Sequence, residues 1–366
     1  MLKLRQVGAP RIVPSRRVVL DNPYVTSDGV VTAHSLPEGG VVVKIDKKTL
    51  KEVWRKKIRL HLRGGYDDLI FLYYGSEAQV WNNDAKILWK PSGPFGIKNG
   101  RLLRFGEGDL SVLDPYTGKL LERLEYPQGL PKLFVEDERV LLLAQDDFQI
   151  DPVRAFSFAG RRIRWEKNLA AEIRERYEDK CERGVLFVGS SQGRFLAGTG
   201  RHVLAFSLAD GQLVWGRHLR TASLIPAIRD GRLYAWATSG ESAHHTTMLD
   251  TTTGQVTRAT IAPANGENRF VIVDESTGEV LVDRPLAPYG EPFRQFQEPR
   301  GTLCKHHIVY VNRAGLIVVL RLSDGEMVWH QQHAEQLYWP AVDGNRLFFP
   351  CVDGTLVVFE AEGEEL

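Results

Sequence analysis

Apolar and polar residues alternate with the two-residue period of β-strands, in short runs broken by turns, and one eleven-residue pattern recurs along the chain. Its copies are KIDKKTLKEVW (44–54), VWNNDAKILW (80–89, its last ten positions), VLDPYTGKLLE (112–122), AFSFAGRRIRW (155–165), AFSLADGQLVW (205–215), MLDTTTGQVTR (248–258) and VLRLSDGEMVW (319–329). The chain ends inside another copy, VFEAEGEEL (358–366). Each copy reads as an alternating strand, a turn, and a second short strand ending in an aromatic. Gly118, Gly211, Gly254, Gly325 and Gly363 hold the turn position, where a positive φ costs glycine nothing. Asp46, Asp114 and Asp250 stand four residues before that position, and Thr49, Thr117 and Thr253 directly before it; such side chains hydrogen-bond to turn backbone.

Upstream of most copies lies a turn followed by an apolar strand: DGVVTAH (28–34), NGRLLRF (99–105), DERVLLL (137–143), RGVLFVG (183–189), DGRLYAW (230–236), KHHIVYV (305–311) and DGNRLFF (343–349). Asp-Gly and Asn-Gly beside β-branched and aromatic residues are hairpin chemistry. One unit is therefore three strands joined by turns, with room for a fourth. Units ending near 54, 89, 122, 165, 215, 258, 329 and the C-terminus predict an all-β fold: a single β-propeller over 1–366, of four-stranded antiparallel blades. Eight blades are expected, with seven as the alternative. A further hairpin, RFVIVDESTGEVLVD (269–283), falls in the longest interval, so 259–300 is read as an insertion or degenerate blade.

Trp54, Trp89, Trp165, Trp215 and Trp329 close the pattern, five of the eight tryptophans. One flat side chain per unit in the same slot predicts packing between blades, each ring burying roughly 150–250 Å². A ligand site would instead need a few convergent aromatics. Glu122 and Arg258 take the slot in two further units, where looser interfaces are expected.

Together these motifs resemble the repeat of quinoprotein-like (PQQ-like) β-propellers, most clearly at 230–258 and 343–366, and from about residue 27 onward. The resemblance implies seven or eight blades round a central axis, an architecture also like that of WD40 proteins. Enzymatic members of the family hold a quinone and a calcium or lanthanide ion, usually near a vicinal disulfide, on longer exported chains. Here no two cysteines are adjacent, and no carboxylate–Asn–Asp set can be assigned to a cofactor residue by residue. A non-enzymatic member without cofactor is expected. A second branch, the outer-membrane assembly lipoprotein, is set aside because residues 1–20 build no signal-peptide core and carry no lipid-attachment cysteine.

Ring closure needs the chain ends to meet. LKLRQV and RIVPSRRVVL within residues 2–20 are spare strand-like pieces, and the last unit lacks its final strand. The N-terminal segment is predicted to pair with the C-terminal blade, placing Lys3, Arg5, Arg11, Arg16 and Arg17 near Glu360, Glu362, Glu364 and Glu365.

Two stretches leave the pattern. EKNLAAEIRERYEDKCERG (166–184) sets Leu169, Ile173, Tyr177 and Cys181 four apart, an inserted amphipathic helix expected to dock on one face. DRPLAPYGEPFRQFQEPR (283–300) reads as an irregular loop, and its Tyr289, Phe293, Arg294, Phe296 and Arg300 are the candidate partner-binding residues, since aromatics and arginine anchor interfaces. The histidine pairs His244-His245, His306-His307 and His330 with His333 predict no metal site, because neighbours on a strand face opposite ways.

Composition narrows the function. With 47 basic against 46 acidic side chains, the net charge of +1 removes the usual case for nucleic acid while leaving room for a local basic patch. Three dispersed cysteines make neither a disulfide framework nor a metal motif, and no apolar run is long enough for a membrane span. G-x-S-x-G, phosphate-loop and H-E-x-x-H motifs are absent. The expectation is a cytoplasmic, monomeric, non-catalytic propeller that binds another protein through loops on one face, as a bacterial immunity or accessory protein would. The alternative is a quinone- or metal-dependent oxidoreductase, or a small-ligand binder, using the central channel.

Overall fold

In a computed structural model the alternating runs pair into eight antiparallel blades, seven of four strands and the first with its inner strand in two short pieces, the arrangement of an eight-bladed β-propeller. The structure describes residues 2–12, 19–20, 22–36, 39–74, 77–91, 95–98, 101–106, 108–127, 130–135, 140–144, 150–177, 185–199, 202–218, 227–229, 231–239, 248–249, 256–257, 267–286, 300–312, 314–362 and 365–366.

After β1 (Lys3–Gly8), blade 1 consists of β2 (Val19–Leu20) and β3 (Tyr24–Val25), both paired with β4 (Gly29–Leu36), then β5 (Gly39–Asp46) and β6 (Glu52–Ile58). Blade 2 is β7 (His61–Tyr66), β8 (Leu69–Tyr74), β9 (Glu77–Trp81) and β10 (Ile87–Trp89). Blade 3 is β11 (Phe95–Lys98), β12 (Arg101–Phe105), β13 (Asp109–Leu113) and β14 (Leu120–Glu125). Blade 4 is β15 (Leu130–Val135), β16 (Val140–Ala144), β17 (Val153–Ser157) and β18 (Arg162–Lys167), and α1 (Leu169–Tyr177) follows it. Blade 5 is β19 (Leu186–Ser191), β20 (Arg194–Gly198), β21 (His202–Ser207) and β22 (Leu213–His218).

Blade 6 departs from the sequence expectation. Its strands are β23 (Ala227–Arg229), β24 (Arg232–Ser239), β27 (Glu267–Asp274) and β28 (Val280–Pro285), while β25 (Met248–Leu249) and β26 (Val256–Thr257) form a separate two-stranded pair. The copy at 248–258 is thus not the blade's outer half. Part of 259–300, expected as an insertion or degenerate blade, supplies two of the blade's own strands. Blade 7 is β29 (Arg300–Leu303), β30 (His307–Val311), β31 (Leu316–Arg321) and β32 (Met327–Gln332). Blade 8 is β33 (Ala341–Asp343), β34 (Arg346–Pro350) and β35 (Leu356–Glu362), completed by β1.

The closure joins the two ends of the chain. Lys3 pairs with Glu362 and Arg5 with Glu360 across β1 and β35, and the Arg5 guanidinium lies 3.2 Å from the Glu362 carboxylate. Backbone bonds from Ile12 to Gly354 (2.7 Å) and from Leu356 to Pro10 (3.0 Å) extend the seam. Both groups of an otherwise open edge are thereby satisfied.

The recurring turn follows one recipe. The fifth residue donates its N–H to the carbonyl of the first in Asp46–Leu50, Asp114–Gly118, Ser207–Gly211, Asp274–Gly278 and Arg321–Gly325, at 2.8–2.9 Å. That fifth residue has positive φ, from 57° at Leu50 to 70° at Gly211. Asp46, Asp114 and Asp274 each accept hydrogen bonds from the backbone N–H and hydroxyl of the threonine three residues on. A β-bulge comes next. It sets Lys44 opposite Trp54, Ala155 opposite Trp165, Ala205 opposite Trp215, Ile272 opposite Val282 and Val319 opposite Trp329, with the register slipping beside each pair. A bulge re-aims its neighbours. The skipped residues Val53, Val214 and Leu281 are left exposed, and the slot residue turns to the next blade. Val282, not Arg258, therefore fills the slot in blade 6.

From that slot, the indole N–H bonds a carbonyl in the following blade: Trp54 to Asn83 (2.9 Å), Trp89 to Pro115 (3.0 Å), Trp165 to Leu208 (3.0 Å) and Trp215 to Glu275 (2.6 Å). The rings of Trp89, Trp165 and Trp215 lie over the turn glycines Gly118, Gly211 and Gly278, where a Cβ would stand 2.6–2.7 Å from ring carbon. Trp329 meets Phe359 of blade 8 edge-on, centroids 5.7 Å apart. Buried clusters between successive blades, such as Leu196, Ala205, Trp215, Leu233 and Val273, surround these rings.

The chain divides into two compact units. One, Met1–Phe105, Ser111–Arg123 and Arg300–Leu366, holds blades 1, 2, 7 and 8 and most of blade 3; the other, Gly106–Leu110 and Leu124–Pro299, holds blades 4–6.

Candidate interaction face

In an antiparallel blade the first-to-second and third-to-fourth turns lie at one end of the strands. The second-to-third connection and the exit to the next blade lie at the other. In blades 4–6 the turn ends are short, whereas five of the six opposite-end connections are long, 145–152, 168–185, 219–226, 240–266 and 286–299, and only 199–201 is short. The corresponding connections in blades 1 and 2 are 37–38, 59–60, 75–76 and 90–94.

α1 is the part of this face whose side chains the structure describes in detail. Asn168 caps it, its Oδ1 accepting from the Ala171 N–H at 2.8 Å, as the Asn just ahead of the apolar stripe suggests. A second cap comes from far along the chain: Asp151 accepts from Leu169 N–H at 2.6 Å and Ala170 N–H at 3.3 Å. A carboxylate at a helix N-terminus also meets the positive end of the dipole. Leu169 and Ile173 are buried among Val140, Leu142, Phe195 and Phe206, with Tyr177 packed against them. Tyr177 lies 5.1 Å from the His202 ring and over Gly216, whose missing side chain leaves room for the phenol. Its apolar stripe is thus consumed by blades 4 and 5; Cys181 lies outside the described residues. Arg174, Glu175 and Arg176 face outward, and Glu172 links Lys167 (3.3 Å) to Arg176 (3.7 Å).

Of the candidate partner-binding residues, Tyr289, Phe293, Arg294 and Phe296 lie outside the described residues, within connection 286–299. Arg300 opens β29, where it pairs with Val311. All five belong to, or border, a connection that starts from the end of β28 opposite its turn.

Metal chemistry finds no footing among the described residues, which contain no group of three or more His, Cys, Asp or Glu able to hold an ion. His306 is exposed just before β30 and His307 is buried within it; His330 is exposed, His333 bonds the Glu335 backbone, and His244-His245 lie outside the described residues. Cys304 and Cys351 are buried, and burial pushes the Cys351 thiol up to about 12.

A polar cluster on the turn ends of blades 1–3 escaped the sequence reading. Tyr116 donates to the Asp67 carboxylate (2.6 Å), Tyr24 to the Asp67 carbonyl (3.0 Å), and Ser27 to Asp68 through both N–H and Oγ (2.9 Å each). The hydrogen bond to Asp67 raises Tyr116, and burial followed by Asp67 raises Tyr24, each to about 12. Both phenols therefore stay protonated as donors, which ties three turns together and supplies no nucleophile.

Comparison with known proteins agrees with this geometry. A family model described as outer membrane protein assembly factor BamB matches residues 38–266, the branch that the sequence reading set aside. No curated protein matches the sequence. Among solved structures, BamB from Moraxella catarrhalis is 14% identical with TM-score 0.57, covering 99% of each chain. The designed protein Ika8 is 12% identical with TM-score 0.62, covering 96% of this chain and 98% of its own. Chaetomium thermophilum Sqt1, bound to the N-terminus of ribosomal protein L10, is 12% identical with TM-score 0.59, covering 97% of this chain and 99% of its own. At these identities the likeness concerns the fold.

Proposed function

The chain belongs to the family of the outer membrane protein assembly factor BamB, and on that footing we propose that it is a non-catalytic propeller that binds another protein through the connections of blades 4–6. The observation that carries this is that the long connections 168–185, 240–266 and 286–299 all leave from strand ends opposite the short turns. Rigid sheets with elaborated loops at one end present a recognition surface with little rearrangement. Tyr289, Phe293, Arg294, Phe296 and Arg300 are its proposed anchors. The family name and the peptide-bound Sqt1 propeller support an accessory role of this kind.

The test is affinity purification from the native source at low salt, with wild type and with Tyr289, Phe293 and Phe296 changed to alanine. A stoichiometric protein recovered by wild type and lost by the variant supports the proposal. No recovered protein, or equal recovery, overturns it. Within the same proposal the protein is a cytoplasmic monomer. Release of the native protein by osmotic shock, or its recovery with membranes, would overturn that placement.

A further inference from the structure

The outer strand of each blade leaves a row of unpaired backbone N–H and C=O groups on which another strand can form. β6 is the longest of these edges, with seven residues against six in β14, β18, β22, β28 and β32 and three in β10. With its flanking residues it also carries the largest excess of positive charge, five Lys and Arg against one Glu between residues 51 and 59. Lys51 just before it, Lys56 and Lys57 within it, and Arg59 just after it are all exposed. Arg55 is occupied, its guanidinium held by Glu52 and by the Ile12 carbonyl at 2.7 Å, and Glu52 is the one acid of the strand. Val53, the residue skipped by the bulge, is 50% exposed beside these charges.

Other edges are blunted differently. β28 ends in Pro285, β18 sets Glu166 beside Arg162 and Arg164 while its Lys167 is held by Glu172, and β14 sets Glu122 and Glu125 round Arg123. Among the described residues no strand pairs with the free side of β6. Edge lysines commonly serve to keep like edges apart. Four uncompensated cations within nine residues of a nearly neutral chain do more: they select what can approach.

We propose that β6 accepts an acidic, extended segment of a partner protein, which adds to blade 1 as a further strand. Its backbone would take up the unpaired edge groups, its carboxylates would lie along Lys51, Lys56, Lys57 and Arg59, and an aliphatic side chain would cover Val53. A nucleic acid would use the charges and leave both the edge amides and Val53 without partners. The site belongs to a different compact unit from blades 4–6 and does not depend on the face proposed there.

Fluorescence anisotropy tests it with four labelled probes: a peptide alternating Glu and Val, its Lys–Val counterpart, the Glu–Val peptide N-methylated at alternate residues, and single-stranded DNA. The Glu–Val peptide is expected to bind, and to lose about tenfold in affinity between roughly 50 and 300 mM salt. The double change Lys56→Glu and Lys57→Glu is expected to weaken it by about tenfold or more, while the N-methylated and Lys–Val peptides fail to bind. Circular dichroism confirms that the variant is folded, and Lys51→Glu with Arg59→Glu repeats the test from the flanks. Absence of Glu–Val binding, equal binding of the N-methylated form, indifference to both double variants, or tighter binding of DNA would each overturn the proposal.

Discussion

Blades 4–6 and blades 1 and 2 share one sheet design, and the five-residue turn recurs in blades 1, 5 and 6, yet they differ at the opposite strand ends and between blades. In blades 1 and 2 the opposite ends are closed by 37–38, 59–60, 75–76 and 90–94, and blade 1 admits polar groups to its interfaces: Lys44, 2% exposed and 2.7 Å from Asp28, and His34, 1% exposed. Blades 4 and 5 set small Ala155 and Ala205 opposite the indoles where blade 1 sets Lys44, and carry their elaboration on connections such as 168–185. The difference teaches that the turn end is fixed by the demands of blade packing, whereas the other end is free to vary.

The largest test of that contrast is Trp215→Ala against Glu122→Ala. Trp215 is 7% exposed and bonds Glu275, so its loss removes a buried aromatic and should cost about 3–5 kcal/mol by urea unfolding. Glu122→Ala should stay within about 0.5 kcal/mol. Comparable losses would mean that the indole is not what holds blade 5 to blade 6. Gly278→Ala comes next. At φ +69°, with Trp215 Cδ2 only 2.6 Å from the added carbon, it combines a left-handed strain of about 1–2 kcal/mol with overpacking of about 1–3 kcal/mol. Gly344→Ala, at φ +54° with open space around it, should show the strain alone, about 1–2 kcal/mol. If the two cost the same, the ring does not constrain the turn.

His34 tests the polar side of the comparison. It shares a face of β4 with Val30, which packs against Ile12, Phe348 and Val358 where blade 8 meets blade 1. Neither ring nitrogen has a hydrogen-bond partner among the described residues, and burial, followed by the Arg55 charge, lowers its pKa to about 4. The unfolded chain then binds a proton that the folded one refuses, so stability falls as pH drops from about 6.5 toward 4. At about pH 4.5 the contribution should reach about 2–3 kcal/mol. His34→Leu should lose that slope in urea titrations at pH 7 and 4.5; an identical slope in both proteins would remove His34 from the account.

Blade number, closure and the tryptophan slot were legible because each is written in a few consecutive residues that repeat. Pairing between distant strands was not. DTTTG at 250–254 and DESTG at 274–278 carry the same turn code, and only the partner of β24 decides between them. The slot residue offered a clue, since aliphatic Val282 suits a blade interface and Arg258 does not. For α1, Asn168 and the four-residue stripe were readable, but Asp151 reaches the helix from a separate connection that no local pattern links to it. The Asp67 cluster was hidden for the same reason, as its donors Tyr24 and Tyr116 come from different blades.

The smallest effect concerns the turn itself. Asp274 Oδ1 accepts from the Ser276 hydroxyl and N–H and from the Thr277 N–H and hydroxyl, at 2.5–3.0 Å, and these bonds hold its carboxyl below the usual carboxylate range. Ser207 and Arg321 occupy the same place in blades 5 and 7, where the backbone bonds of the turn are unchanged, so the carboxylate adjusts the turn and does not create it. A depressed folded pKa stabilises above the unfolded value and is lost as pH falls through the folded one. Asp274→Asn should therefore be less stable than wild type at neutral pH, with the gap closing below about pH 4. Thermal midpoints at pH 7 and 3 measure it. A gap that stays undiminished at pH 3 would assign the loss to the shape of the turn, and would leave the indole over Gly278 as the constraint it shares with Gly118 and Gly211.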